Sequence, residues 1–344
     1  MKYTSLPNTD IQVSKICLGT MTFGQQNTEN EAHEQLNYAV SNGVNFIDTA
    51  EMYSVPGRKE TQGSTERFIG TWLKNNRDKV VLATKIAGPN KVFSYIREEL
   101  NFSKESIKSA IESSLTRLQT DYIDLYQLHW PERKTNIFGI RNYKHDETEE
   151  WSDNFSEVIE TMNDCIKEGK ILHYGVSNET PWGLMRYVEE SREFILPKPI
   201  TIQNPYSLLN RTFEINLAEI AHRENIGLLA YSPLAFGVLS GKYLEGKMPE
   251  DSRLKLFPKM ARYNKVNTKK ATKLYFDLAQ KNGLSLAQLS LSYLLQKPFL
   301  TSVIIGATKM EQLKENINSS YVELSDEVLK EIEIIFEKYP NPAP

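Results

Sequence analysis

The feature that most constrains this chain is a pattern repeated eight times: a short apolar run followed by an amphipathic helical stretch. The runs fall at 16–19, 44–48, 80–84, 122–128, 171–176, 200–203, 226–231 and 302–305. Each is rich in Ile, Val, Leu or Tyr, as strands covered on both faces must be. The stretches between them carry helix punctuation. Thr28 with Glu31 predicts a capping box, Leu36, Ala39 and Val40 a buried stripe, and Gly43 a stop. Ile107, Ile111, Leu115 and Leu118 recur at helical spacing, and Thr180-Pro181 reads as an N-cap with proline in the first turn. Thr308 with Glu311 predicts a second capping box after the last strand.

Eight alternations admit a closed (β/α)8 barrel or an open doubly wound sheet. The open dinucleotide fold calls for GxGxxG after its first strand, and Leu18-Gly19-Thr20-Met21-Thr22-Phe23-Gly24 does not supply it. Eight units favour the TIM barrel. Its 344 residues lie within the reach of one barrel domain, so 1–344 is expected to be a single domain. Segments 2–5 and 11–13, around Pro7-Asn8-Thr9-Asp10, predict a hairpin covering one end, and further helices are expected at the C-terminus. Three connections are long: 51–64, 130–154 and 232–267. A barrel places all three on its C-terminal face, where active sites are built. Such length marks function or disorder, and Trp130, Phe138, Tyr143 and Trp151 make the second a candidate substrate wall.

Composition removes several classes of partner. With 41 basic and 44 acidic residues the net charge is −3, which argues against nucleic acid or an anionic membrane surface. Cys17 and Cys165 are far apart and no Cys/His spacing suits a metal, so no metal is expected and a reducing cytoplasm fits. The first residues lack the apolar core of a signal peptide, and no stretch approaches a membrane span.

Chemistry concentrates at strand ends. Phe46-Ile47-Asp48, Val81-Leu82-Ala83-Thr84-Lys85 and Leu125-Tyr126-Gln127-Leu128-His129 each finish an apolar run with an ionisable group, and Tyr53 follows the first. A barrel gathers these ends around one mouth. Reducing a carbonyl needs a hydride at carbon and a proton at oxygen. Free tyrosine, with a pKa near 10, is a poor acid at neutral pH. A lysine ammonium within about 4–6 Å is expected to lower that pKa by about 1–3 units. Asp48 would hold and aim Lys85, and His129 would polarise the carbonyl.

Asp48-Thr49-Ala50-Glu51-Met52-Tyr53 resembles the DTAxxY signature of the aldo-keto reductases, and Gly63-Ser64-Thr65-Glu66 resembles the helix start that comes after it. The resemblance spans essentially the whole chain. Within the superfamily it is most similar to the Tas-like bacterial reductases, through 19–24, the insertion before Gly63, and Ile202-Gln203-Asn204-Pro205-Tyr206-Ser207-Leu208-Leu209-Asn210. It implies a catalytic tetrad of Asp48, Tyr53, Lys85 and His129, with Tyr53 as proton donor. It implies NADP (NADPH) as cofactor, the nicotinamide held by Ser177, Asn178 and Gln203 and stacked on Tyr231. The loop over the pyrophosphate would use Ser232, Leu234, Gly237, Gly241 and Lys242, with Arg253 in reach of the phosphates. The adenosine end would meet Gly306, Thr308, Lys309, Gln312, Glu315 and Asn316; a helix N-terminus beside Lys309 suits a 2′-phosphate.

The expected activity is reduction of a small aldehyde or ketone by a monomer or weak homo-oligomer, without nucleic acid or membrane. Two other readings remain open on sequence alone. One is a Schiff-base lyase built on Lys85. The other is an NADP(H)-binding redox sensor or partner subunit with slow turnover.

Overall fold

The structure, a computed structural model, describes every residue except Arg141, and the side chains of residues 259–261 also lie outside the description. A hairpin of β1 (Tyr3–Ser5) and β2 (Gln12–Ser14) comes first, Thr4 opposite Val13. Eight parallel strands come after it: β3 (Ile16–Gly19), β4 (Phe46–Asp48), β5 (Val81–Ile86), β6 (Ile123–Leu128), β7 (Ile171–Ser177), β8 (Thr201–Pro205), β9 (Gly227–Tyr231) and β10 (Leu300–Ile305). They run in chain order around a ring that closes where β10 pairs with β3. This is the (β/α)8 TIM barrel, and all eight sequence runs lie on its strands.

The helices are α1 (Glu29–Ser41), α2 (Ser64–Leu73), α3 (Lys104–Leu118), α4 (Phe155–Lys167), α5 (Pro181–Glu193), α6 (Leu217–Glu224), α7 (Arg253–Leu256), α8 (Val266–Lys281), α9 (Leu286–Leu295), α10 (Met310–Asn318) and α11 (Asp326–Lys338). α1 begins with the predicted capping box, Thr28 Oγ1 accepting from the Glu31 backbone and Glu31 returning the bond to the Thr28 backbone. Thr180 caps α5 with Pro181 in its first turn. The box predicted at Thr308 and Glu311 does not form. The N-cap falls one residue later, at Lys309, which is uncapped, and the Thr308 N–H is satisfied instead by Gln312 Oε1 at 3.0 Å.

Side chains alternate across each strand, which splits the interior in two. Outward residues such as Leu18, Ile47, Leu82, Tyr126 and Ile202 join the helices in the larger core. Inward residues Cys17, Phe46, Ala83, Leu125 and Leu229 join Leu6 and Val13, so the hairpin plugs the N-terminal end. The third long connection has local structure of its own. It holds α7 and short helical turns at Ala235–Ser240, Leu244–Gly246 and Pro258–Tyr263. Both cysteines are buried and free. Among the described residues no helix is long and apolar enough to cross a membrane.

Candidate active site at the C-terminal mouth

Two residues beyond the apolar plug, the same inward face of β4, β5 and β6 turns polar. Asp48, Lys85 and Gln127 occupy it, each almost fully buried. Lys85 Nζ donates to Asp48 Oδ2 and to the Thr49 carbonyl, both at 2.6 Å. Asp48 Oδ1 accepts from Gln203 Nε2 at 2.9 Å and Gln127 Nε2 at 3.2 Å, and Gln203 also donates to Gln127 Oε1 at 3.1 Å. A carboxylate and an ammonium are tolerated in a dry interior only when paired and hydrogen-bonded, and this pair is both. Gln127 was not anticipated. Its signal was present, as a lone amide inside an apolar strand.

The ladder continues past the strand ends and anchors the first residues of each connection. Thr49 N–H donates to Ala83 O at 2.9 Å, Glu51 N–H to Lys85 O at 3.1 Å, and His129 N–H to Ile86 O at 3.0 Å. Glu51, buried, also accepts from Ala87 N–H at 2.7 Å and from both Arg97 amino groups at 2.9 and 3.1 Å, tying the connection that carries Tyr53 to the one after β5. Nothing periodic in the sequence marks this clamp.

Tyr53 stands over the ion pair, with Lys85 Nζ 5.3 Å from its ring centroid. The His129 ring meets it edge-on at 5.7 Å. Burial holds His129 well below the usual imidazole range, and the Lys85 charge adds to this, so the ring is neutral; its Nδ1 has no hydrogen-bond partner among the described residues. The expected lowering of the Tyr53 pKa is not found. Burial pushes the phenol up, Asp48 adds to the rise, and Arg253 opposes it. The physical reason is that the Lys85 ammonium is matched by Asp48 at contact distance, so little net positive field reaches the phenol.

On the β7–β9 side, Ser177 Oγ donates to Gln203 O at 2.8 Å. Asn178, in the left-handed region at φ 54°, donates to His129 O at 2.9 Å and accepts from Tyr231 OH at 2.6 Å. The resemblance-derived residues Ser177, Asn178, Gln203 and Tyr231 thus form one bonded floor with Asp48, Lys85 and His129. Beyond Tyr231, Ser232, Ala235, Phe236, Gly237 and Gly241 all have positive φ. A Cβ on Gly237 would fall 2.7 Å from Lys242 Cε, so only glycine lets that lysine lie across the turn. Burial and the nearby Arg253 lower the Lys242 pKa.

Arg253 lies 5.0 Å from the Phe236 ring and 3.9 Å from Met21 Sδ, and among the described residues no carboxylate pairs with it. A recessed guanidinium beside a cationic lysine, over a turn held open by glycine, fits an anionic group such as a dinucleotide pyrophosphate. Lys309, exposed, pairs with Asp251 at 2.7 Å. Asn316 donates to Gly306 O at 3.4 Å, and Gln312 holds Thr308. The candidate wall divides. Trp130 packs 4.8 Å from His129 and 6.0 Å from Phe138. Trp151 instead joins Phe155 and Trp182 of α4 and α5, and Tyr143 is exposed.

A closed parallel barrel whose titratable groups gather at the C-terminal mouth is the architecture of a barrel enzyme. The chain belongs to the aldo/keto reductase family, whose family model matches residues 15–337. It is 47% identical to Protein tas of Escherichia coli (strain K12), with all of both chains covered. It is 34% identical to the uncharacterized oxidoreductase YrpG of Bacillus subtilis, covering 100% of this chain and 97% of that one. It is 28% identical to norsolorinic acid reductase B of Dothistroma septosporum, covering 98% and 82%. The resemblance to Tas-like reductases holds, and the protein is an oxidoreductase of the carbonyl-reducing kind.

Proposed function

We propose that residues 1–344, acting as one barrel domain in the cytoplasm, reduce a small aldehyde or ketone to an alcohol with NADPH, Tyr53 giving the proton. The observation that carries this reading is the buried Lys85–Asp48 pair beneath Tyr53, with a neutral His129 at its edge. NADPH, when bound, supplies the hydride. Ser177, Asn178 and Gln203 would hold its nicotinamide end and Tyr231 would back the ring. Ser232, Leu234, Gly237, Gly241, Lys242 and Arg253 would take the pyrophosphate. Gly306, Thr308, Lys309, Gln312, Glu315 and Asn316 would take the adenosine end, Lys309 meeting a 2′-phosphate.

The chain's own residues then manage the proton. The raised phenol of Tyr53 keeps its proton until hydride arrives at carbon. The alkoxide that forms is a stronger base than a phenolate, so the proton moves from Tyr53 to the substrate oxygen. The phenolate left behind sits over the Lys85–Asp48 pair, and the Arg253 charge is the one that favours it. His129, neutral, donates a hydrogen bond to the same oxygen. A Schiff-base role for Lys85 is poorly supported, because its amine is wholly buried and committed to Asp48 and Thr49.

Tyr53→Phe tests the assignment. Turnover is expected to fall by about 10²–10⁴, with NADPH affinity, followed by fluorescence titration, changed less than a few-fold. Wild-type turnover in the variant would remove Tyr53 from the role.

A further inference from the structure

Recessed arginines in this protein meet carboxylates. Arg77 pairs with Asp124, Arg97 with Glu51, Arg117 with Glu66, Arg133 with Glu179, and Arg211 with Glu214 and Glu333. Arg253 and Arg262 are exceptions: among the described residues neither has an ion-pair partner. Both approach one ring, Phe236, at 5.0 and 5.5 Å. Their other neighbours differ. Arg253 touches Met21 and shares its field with Lys242, the place proposed above for pyrophosphate.

Arg262 lies against the connection that bears Trp130 and Phe138. Its guanidinium is 4.8 Å from the Tyr263 ring, and its charge sits beside the Tyr231 hydroxyl that bonds Asn178, itself bonded to His129 O. Its Nε is buried with no hydrogen-bond partner. The connection bearing Trp130 and Phe138 crosses it at Gly139. A Cβ there would fall 3.2 Å from Arg262 Cδ and 3.1 Å from a main-chain oxygen of the terminal Pro344, and φ is +94°. A desolvated guanidinium with an unmet donor is costly. Its planar fork matches a carboxylate.

We propose that Arg262 receives the carboxylate of the substrate, so that the preferred carbonyl compounds are anionic: aldehydes or ketones that also bear a carboxyl group. The inference rests on the reductase reading above and names the substrate class for the same mouth. Arg262 would fix which end of such a molecule faces Tyr53 and His129, while Trp130 and Phe138 bound its apolar middle.

The experiment compares 4-carboxybenzaldehyde with the neutral, similarly shaped 4-nitrobenzaldehyde on the full chain, wild type against Arg262→Gln and Arg262→Lys. Wild type is expected to favour the carboxylate. Arg262→Gln is expected to lose about 10- to 100-fold in kcat/KM on the carboxylate, mostly through KM, with under threefold change on the nitro compound and in NADPH Kd. Arg262→Lys should recover part of the loss, since charge returns without the fork. Equal losses on both aldehydes would assign Arg262 to holding the 130–154 connection against the chain end, and weakened NADPH binding would assign it to the cofactor; either overturns the proposal. No reduction of either aldehyde by wild type would instead count against the reductase reading itself.

Discussion

The two ends of this barrel are made by the same strands and hold opposite interiors. At the N-terminal end Leu6 and Val13 of the hairpin pack on Cys17, Phe46, Ala83, Leu125 and Leu229. Two residues on, the same strands present Asp48, Lys85 and Gln127. The plug is held by burial, which is non-directional and contributes side chain by side chain. The mouth is held by pairing: each charge is tolerable only while its partner remains. Damage at the plug should therefore cost stability and leave chemistry, whereas damage at the mouth should cost both.

Lys85→Met is the harshest test of that contrast. It removes the ammonium behind Tyr53 and leaves Asp48 buried without a counter-ion. Turnover should fall by about 10³ or more, given the gains of electrostatic preorganisation, and urea unfolding should show a loss of about 3–5 kcal/mol. Adding Asp48→Asn should return part of the stability and none of the activity. A single variant as stable as wild type would mean the mouth is wetter than its geometry indicates. At the other end Phe46→Ala should cost about 3–5 kcal/mol, with kcat within threefold wherever the variant stays folded. Turnover that collapses in step with the mouth variants would show that the two ends are coupled.

The contrast also sorts what was legible in the sequence. Short apolar runs ending in Asp48, Lys85 and His129 announce a strand and a charge in one segment, so the barrel and the place of these three at its mouth could be read directly. Partnerships across the ring could not. Gln127 and Gln203 meet at Asp48 although 76 residues separate them from each other. Arg97 clamps Glu51 from a connection with no periodic signal. The Tyr53 phenol rises instead of falling, first because it is buried and then because Asp48 adds to the rise. An ammonium lowers a neighbouring phenol only if its own charge is uncompensated, and Asp48 compensates Lys85. The failed capping box at Thr308 is a local ambiguity: Gln312, one residue after Glu311, reaches back first.

Smaller effects sharpen the outer rim of the mouth. Lys309 is exposed, with Asp251 as its present partner. Lys309→Glu would place like charges together and repel a 2′-phosphate. NADPH binding is expected to weaken about tenfold more than NADH binding, and the difference should shrink with added salt, because the site is open to screening. Equal losses for the two nucleotides would put the 2′-phosphate elsewhere.

The smallest expected effect is a slope. His129 is held well below its usual range by burial and by Lys85, while in the unfolded chain it titrates near 6.5. As pH falls through about 6.5 the unfolded chain takes up a proton that the folded mouth refuses. The stabilising contribution is therefore complete above that pH and is lost progressively as pH drops toward the folded value. Unfolding free energies from urea titrations between pH 7 and pH 5 should fall more steeply for wild type than for His129→Gln, by at most about 1.4 kcal/mol per pH unit. Phe46→Ala, which leaves the mouth intact, should keep the wild-type slope on a lower baseline. Identical slopes for wild type and His129→Gln would mean the imidazole charges as readily folded as unfolded. The polar mouth would then be open to water, and the contrast with the dry plug would fail.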